Sequence, residues 1–293
     1  MIRVVIASFT VTLMLGACSH NSRHEPLQGE SMKIVDFKNI QWYAQRASAA
    51  YKSKSQIKDL YPNTIRVTEV DDTEVQYFLE IDPETNHQII SIRGTANLKT
   101  ALEDAEYIPI KNNKLNIYVH RGFNEDTIKL YADIHPHLNK THPIYITGHS
   151  LGAAISTLLM MYLHNDGFNL APSVNFGQPK VTNKKGVNTY NTLPLTRVLD
   201  ENDVVPLVPP ITLLDSIHGV YEHLGDEVIL LEDEYYAYLN EHDAERASVG
   251  SFWENLGKES VKEHFMENYL NNIKSKLTLS KQVAYEDREH HTP

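Results

Sequence analysis

The sequence lacks several features that would point to other classes of protein. It contains one cysteine in 293 residues, so it offers neither an internal disulfide framework nor a cysteine-based zinc site. It has no basic cluster, and its 38 acidic residues against 27 lysines and arginines give a net charge of -11, which argues against a nucleic-acid partner. Its 15 histidines form no H-E-x-x-H pattern. We therefore predict no metal, no cofactor and no protein partner.

The N-terminal apolar run is short and covers residues 4–15, directly after Arg3. Such a run is too short to span a bilayer comfortably, but it has the length of a signal-peptide core. It ends in Leu15-Gly16-Ala17-Cys18, which resembles the lipobox of bacterial lipoproteins, where cleavage leaves the cysteine as a lipidated N-terminus. Residues 1–17 are therefore predicted to be a lipoprotein signal peptide.

Cys18 is the predicted lipidation site, and the alternative is a plain secretory signal with an incidental thiol. By the same resemblance, Ser19 in place of an aspartate favours the outer membrane over the inner membrane of a double-membraned bacterium. Residues 18–33 are polar and contain both Pro and Gly, which favours a flexible tether. We expect a protein of the bacterial cell envelope, anchored to the outer membrane on a face that the sequence leaves open.

The rest of the chain predicts a single domain over residues 34–280, in which strands alternate with helices. Apolar residues at helical spacing indicate a first helix over residues 34–51. The predicted strands are residues 75–81, 88–92, 115–119, 144–147, 174–176, 196–199 and 220–231, and the later helices are residues 125–138, a segment after Ser150, and residues 260–276. This alternation implies a mostly parallel sheet covered on both faces. Residues 281–293 are expected to be a frayed polar tail.

The segment Gly148-His149-Ser150-Leu151-Gly152 matches the pattern G-x-S-x-G. It lies between the predicted strand 144–147 and an apolar helix, which is the setting of a nucleophile at a sharp strand-to-helix turn. Glycines on both sides leave room for such a turn because they carry no Cβ atom. Ser150 is the predicted nucleophile, and the alternative is an ordinary buried turn.

A serine nucleophile needs a histidine as base and an acid that orients the histidine. In α/β-hydrolases the chain order is Ser, acid, His. Asp203 is the preferred acid because it follows a predicted strand, where the carboxyl ends of a sheet carry functional groups. Asp200 and Asp215 compete as turn or capping residues. Spacing alone leaves three candidate bases, namely His218, His223 and His264.

Five segments in order resemble the class 3 lipases, the family of the filamentous-fungal triacylglycerol lipases. They are IISIRGT, VHRGF, GHSLGAA, FGQPKV and NDVVPLVPP, and the similarity covers about residues 34–270. The resemblance implies an α/β-hydrolase fold, with a mostly parallel central sheet flanked by helices. It assigns the acid of the D-x-V-P-x-x-P-P block to Asp203 and the base of the H-x-x-x-x-Y-L setting to His264. It places His223 in a block that is structural.

The oxyanion that forms during attack on an ester needs N–H donors, each worth about 3 kcal/mol. Leu151, the residue after the nucleophile, is expected to supply one backbone N–H. The resemblance assigns the other to Thr95, through its N–H and its hydroxyl. The following lid segment departs from the family, because Ala101 stands where a Trp is often found, although Asp104 fits. A smaller and more polar lid weakens the expectation of activation at an oil surface.

The sequence as a whole predicts a membrane-anchored serine hydrolase that cleaves the carboxylic esters of lipids, a lipase or esterase with a lipid or ester substrate. The same triad also suits a phospholipase or a lysophospholipase. An alternative from another class is a catalytically dead lipid-binding lipoprotein, which the complete set of triad candidates disfavours. Acyl-chain length and head group are left open.

Overall fold

The computed structural model describes residues 34–95, 108–208, 219–244 and 262–292. The helices in these residues are α1 (Phe37–Ala49), α2 (Lys54–Leu60), α3 (Arg121–Ile134), α4 (Leu151–Asn165), α5 (Lys184–Tyr190) and α6 (Met266–Ser275). The strands are β1 (Thr64–Glu69), β2 (Gln76–Ile81), β3 (Gln88–Ile92), β4 (Pro109–Asn112), β5 (Ile117–His120), β6 (Ile144–His149), β7 (Ser173–Phe176), β8 (Thr182–Asn183), β9 (Leu195–Asp200), β10 (Tyr221–Glu222), β11 (Asp226–Leu230), β12 (Tyr235–Leu239) and β13 (Lys281–Val283). Short 3-10 helices cover His135–His137, Val205–Leu207 and Tyr285–His291.

Among the described residues, nine strands form one sheet in the order β1-β2-β3-β6-β7-β9-β11-β12-β13. The centre of the sheet, from β3 to β11, is parallel throughout, while β1, β2 and β12 run antiparallel to a neighbour. A separate four-stranded sheet has the order β10-β8-β5-β4. The predicted fold class, a mostly parallel sheet flanked by helices, is confirmed.

The parallel register brings the carboxyl ends of four central strands to one edge. Ile92 pairs with Gly148, and His149 pairs with Phe176, so β3, β6 and β7 end side by side. Strand β9 continues the row, with Val198 paired to Phe176. Side chains that follow these strands therefore meet at the edge where α/β proteins place their functional groups.

The sheet is covered on both faces by separate apolar clusters. Ile144 and Ile146 on β6 belong to a cluster that includes the buried residues of α4, whereas Tyr145 between them packs against the cluster formed with α1 and α6. Alternate residues of a strand point to opposite faces, so these clusters lie on opposite sides. Helix α4 is buried from Gly152 to Leu163. Its apolar circumference holds the nucleophile turn firmly against the sheet, since each fully buried Leu or Met side chain contributes about 2 kcal/mol.

The strand predicted over residues 220–231 is divided in the structure. Tyr221–Glu222 forms β10 of the small sheet, and Asp226–Leu230 forms β11 of the large sheet. Gly225 lies at the break with a φ of +86°, and a Cβ there would lie 2.5 Å from the carbonyl oxygen of Leu195. The turn thus requires glycine for both its backbone angle and its close approach to β9.

The prediction of a frayed tail over residues 281–293 is wrong. Lys281–Val283 is β13, which pairs in parallel with β12, and the Arg288 side chain is buried in an ion pair with Glu201 at 2.8 Å. The polar composition concealed this, although Val283 and Tyr285 pack against the buried side chains of β11 and β12 and the ring of His291 stacks on Tyr235. The predicted signal peptide and tether lie outside the described residues. Within the described ranges, every helix falls short of the length and apolarity needed to cross a membrane.

Candidate active site

Ser150 occupies a strained turn between β6 and α4. Its φ of 59° and ψ of -129° lie in a region that side-chain-bearing residues rarely adopt. The turn is held by the Ser150 N–H, which donates to the carbonyl of Phe176 at 3.0 Å. This is the backbone of a nucleophile elbow, which places the serine side chain at the carboxyl end of the sheet, where it is buried in this structure.

The glycines of the motif are needed because two backbones approach closely at the elbow. A Cβ at Gly148 would lie 2.3 Å from the carbonyl oxygen of Gly152, and a Cβ at Gly152 would lie 2.4 Å from the carbonyl oxygen of Ile92. Neither contact can be relieved by a side-chain rotation, because the opposing atoms belong to backbone. The G-x-S-x-G pattern therefore describes how α4 packs against β6 and β3.

Asp203 and His264 form a buried hydrogen-bonded pair. Nδ1 of His264 lies 2.6 Å from Oδ2 of Asp203, and both side chains are almost fully buried. The same carboxylate accepts the Tyr269 hydroxyl at 2.6 Å and the Val205 N–H at 2.9 Å. Nε2 of His264 is buried without a hydrogen-bond partner among the described residues. A histidine oriented through Nδ1 with Nε2 uncommitted is what a general base for serine requires.

The imidazole of His264 packs against the residue that follows β7. A Cβ at Gly177 would lie 2.6 Å from Cε1 of His264 and 3.0 Å from Oδ2 of Asp203. The preceding residue, Phe176, is the one that bonds the Ser150 N–H. The acid, the base and the nucleophile thus meet around the end of β7.

The two competing candidates that the structure describes, Asp200 and His223, make other contacts. The Asp200 carboxylate accepts the Asn272 side chain at 3.0 Å and the Asn202 N–H at 3.2 Å. His223 donates from Nε2 to the carbonyl of Pro206 at 2.7 Å, which supports the loop after Asp203. Burial and nearby Arg197 hold the pKa of His223 well below its usual value. The alternatives Asp215 and His218 lie outside the described residues.

The predicted oxyanion donors follow the ends of β6 and β3. Leu151 is the first residue of α4, where an N–H has no acceptor within its own helix and lies at the positive end of the helix dipole. Thr95 lies two residues beyond Arg93, and its hydroxyl donates to Glu74 at 3.4 Å. The close approach of Gly94 to Ser150, with a Cβ there only 2.9 Å from Cβ of Ser150, brings this segment against the nucleophile.

Two side chains of the site, Tyr269 and Glu74, could not be predicted as such from the sequence. Tyr269 is marked there only as the tyrosine of the H-x-x-x-x-Y-L setting, and no motif includes Glu74. Ala101 and Asp104 of the predicted lid, and the lipidation candidate Cys18, lie outside the described residues. In the part of the chain that the structure describes, no group of three or more His, Cys, Asp or Glu side chains has the arrangement of a metal site.

Comparison with known proteins gives a family match over this region. The model of the family Lipase (class 3) matches residues 89–213, which include Thr95, Ser150 and Asp203. Secreted mono- and diacylglycerol lipase 1 of Fusarium solani is 25% identical over 230 residues, or 70% of this chain and 69% of that protein. A lipase of Rhizopus niveus is 30% identical over 151 residues, which are 46% of this chain and 37% of the relative. The chain thus spans little more than a third of the Rhizopus protein.

A solved structure agrees with the architecture. The lipase of Rhizopus microsporus var. chinensis superposes with a TM-score of 0.64 at 20% identity, covering 89% of this chain and 96% of that one. At this identity the likeness concerns the fold, which is the α/β-hydrolase fold.

Proposed function

Because this chain belongs to the class 3 lipase family and is a serine ester hydrolase, we propose that it hydrolyses acylglycerols, with mono- and diacylglycerols as its preferred class. The observation that carries the proposal is the buried pair of His264 and Asp203, with Nε2 of His264 uncommitted beside the strained elbow of Ser150. The Fusarium relative, a mono- and diacylglycerol lipase, supports the substrate class.

The site residues suit an acyl-enzyme mechanism. Ser150 Oγ attacks the ester carbonyl carbon while Nε2 of His264 takes its proton, and Asp203 stabilises the imidazolium through Nδ1–H. The N–H of Leu151 and the donors of Thr95 stabilise the oxyanion. His264 then protonates the departing alcohol, which leaves an acyl group on Ser150. Water, deprotonated by His264, attacks the acyl carbon and releases the carboxylic acid, and the proton returns to Ser150.

The nucleophile is tested by Ser150→Ala with p-nitrophenyl butyrate as substrate. We expect kcat to fall on the order of 10⁴-fold or more, because the variant lacks the oxygen that carries the acyl group in the proposed mechanism. Ser156→Ala is the matched control, since Ser156 lies in α4, is fully buried, and has an Oγ without a hydrogen-bond partner among the described residues. Activity that survives in Ser150→Ala, with the control also active, removes the assignment of Ser150 as the nucleophile.

The substrate class is tested with the purified mature protein and a panel of emulsified or micellar esters. The panel contains mono-, di- and triacylglycerol, phosphatidylcholine and lysophosphatidylcholine, with release of fatty acid as the measurement. The proposal expects the highest kcat/KM with mono- and diacylglycerol. A preference for either phospholipid would instead make the protein a phospholipase with the same triad.

We also infer that Cys18 anchors the protein to the outer membrane of a bacterial envelope. The lipobox-like Leu15-Gly16-Ala17-Cys18 and the polar stretch after it support this inference. Labelling of expressing cells with radioactive palmitate should mark the protein, and Cys18→Ser should remove the label. Separation of the two membranes on a sucrose gradient should find the protein in the outer fraction. Label that remains in Cys18→Ser contradicts the anchor, and recovery with the inner membrane contradicts the location.

A further inference from the structure

His149, directly before the nucleophile, makes two side-chain hydrogen bonds that the G-x-S-x-G pattern does not require. Nε2 of His149 lies 2.7 Å from the backbone carbonyl oxygen of His264, and Nδ1 lies 2.7 Å from the hydroxyl of Tyr51. The two imidazoles of His149 and His264 lie with ring centroids 4.4 Å apart and planes inclined by 32°. His149 is only 4% exposed. One buried imidazole thus joins the nucleophile turn to the residue that carries the base.

The direction of each hydrogen bond follows from chemistry. A carbonyl oxygen can only accept, so Nε2 of His149 carries the proton and donates to His264. A neutral imidazole has one acceptor nitrogen, so Nδ1 accepts from the Tyr51 hydroxyl. Burial, together with the adjacent His264, holds the pKa of His149 well below its usual value, which agrees with a neutral ring. Both ring nitrogens of His149 are therefore hydrogen-bonded while the ring stays neutral, so His149 places no second positive charge beside His264.

Tyr51 extends the contact to the segment that carries the predicted oxyanion residue. Its phenol oxygen faces the backbone N–H of Gly94. The packing there is tight, because a Cβ at Gly94 would lie 2.5 Å from the Tyr51 oxygen and 2.5 Å from the carbonyl oxygen of His149. The end of β3, the nucleophile turn and the loop of His264 therefore meet around Tyr51 and His149.

The hydrogen bond from His149 reaches the carbonyl oxygen of His264, which lies just before α6. Helix α6 begins at Met266, and the N–H groups of Asn268 and Tyr269 bond back to the carbonyl of Phe265. The carbonyl of His264 accepts from His149 instead. His149 thus fixes the main chain of the base, whereas Asp203 fixes its ring.

We propose that Tyr51 and His149 are positioning residues, which together set the main chain of His264 and the Gly94–Thr95 segment in register with Ser150. The inference rests on the ester hydrolysis proposed above and adds how its parts are aligned. A displacement of about 1 Å at a reacting group costs roughly 10²-fold in rate. Loss of these contacts should therefore lower kcat and leave KM nearly unchanged, because neither side chain is assigned a contact with the substrate.

Two substitutions at position 149 separate the two hydrogen bonds. In His149→Gln the terminal amide nitrogen can take the place of Nε2 and donate to the His264 carbonyl. In His149→Asn the shorter amide can take the place of Nδ1 and accept from Tyr51, but it cannot reach His264. We expect a fall in kcat of about 10-fold or less for His149→Gln and of about 10²-fold for His149→Asn. KM should stay within about threefold of the parent value in both, in keeping with loss of an interaction needed only in the transition state.

Tyr51→Phe tests the other half of the arrangement, with Tyr43→Phe as its matched control. Tyr43 is also a phenol from the α1 region, is buried, and donates to a backbone carbonyl, that of Pro172, away from the site. We expect kcat to fall about 10-fold in Tyr51→Phe and to be unchanged in Tyr43→Phe. Rates are expressed per active site, counted by the burst of a fluorophosphonate, so that a loss of folded protein does not count as a loss of kcat.

The outcomes distinguish this inference from the proposed function. An unchanged kcat in Tyr51→Phe, or a His149→Asn protein as active as His149→Gln, overturns the positioning role while the parent enzyme still hydrolyses esters. A parent protein without activity on any ester overturns the proposed function itself. Should His149→Asn fail to fold, the Tyr51→Phe and Tyr43→Phe pair decides the question alone.

Discussion

Asp200 and Asp203 lie three residues apart, but their carboxylates have different surroundings. Asp203 accepts hydrogen bonds from His264, Tyr269 and the N–H of Val205. Among the described residues, Asp200 accepts from the Asn272 side chain and a backbone N–H, while Asp203 and Glu263 repel its negative charge. Burial, more than this repulsion, raises the pKa of Asp200 to about 6. Asp200 is therefore a carboxyl group that the fold prefers in its protonated form.

This preference predicts how Asp200→Asn changes the dependence of stability on pH. The pKa of Asp200 is raised in the folded state from 3.8 to about 6, so its contribution is fully present below pH 4 and is lost as the pH rises through 6. The asparagine variant has no such loss. We expect the difference in free energy of unfolding, variant minus parent, to rise by up to about 3 kcal/mol between pH 4 and pH 7. Urea unfolding at several pH values measures this, and a constant difference between the two proteins contradicts it.

At the scale of single residues, the catalytic residues could be predicted from the sequence better than the residues that position them. Ser150 and Asp203 were predicted from their local setting, since a strand before each of them can be recognised in the chain. Spacing could not separate His264 from His223, because only the fold brings one of them to Asp203. Tyr51 is 98 residues from its partner His149, and no local pattern reports such a contact.

At the scale of elements, the turn after β7 sets the room available to the base. Gly177 has a φ of +52°, and a Cβ there would lie 2.6 Å from Cε1 of His264. A side chain at this position has to move the imidazole away from Asp203 or shift the end of β7. The glycine of the FGQPKV segment is thus explained by the histidine that packs on it.

Gly177→Ala should abolish activity. Gly167→Ala is the control that separates displacement of His264 from the strain of the backbone alone. Gly167 also has a positive φ, +76°, but a Cβ there meets nothing within 4 Å. In both variants the left-handed backbone of the alanine lowers the free energy of unfolding by about 1–2 kcal/mol. We expect both variants to unfold at somewhat lower urea concentration, with esterase activity lost only in Gly177→Ala. Equal activity in the two variants would contradict the packing of the His264 imidazole against Gly177.

The elements that sequence reasoning missed are those that depend on their partners. Strands β8 and β10 have two residues each and exist through pairing with each other and, for β8, with β5. Strand β1 is exposed at several positions, which weakens its apolar alternation. By contrast, β3 covers the predicted residues 88–92, because a strand buried on both faces is apolar along most of its length.

At the scale of the whole molecule, the last residues complete the sheet beside the loop of the acid. Strand β13 pairs with β12, and Arg288 reaches back to Glu201, which precedes the Asn202-Asp203 turn after β9. The Glu201 carboxyl is buried, which raises its pKa to about 7 although Arg288 opposes the shift. Arg288 is therefore the cation that allows this carboxyl group to be ionised inside the fold.

Removal of residues 281–293 should destabilise the protein, because it removes β13 and also deprives the Glu201 carboxylate of its partner Arg288. Loss of one member of a buried ion pair costs about 3–5 kcal/mol. We expect the truncated chain to unfold at markedly lower urea concentration at pH 8, and Glu201→Gln in the truncated chain to recover a large part of the loss. In the full-length chain the same substitution should instead be destabilising or neutral, because it breaks the charge pair with Arg288. An identical effect of Glu201→Gln in both backgrounds would mean that the ion pair contributes nothing and that β13 alone secures the end of the chain.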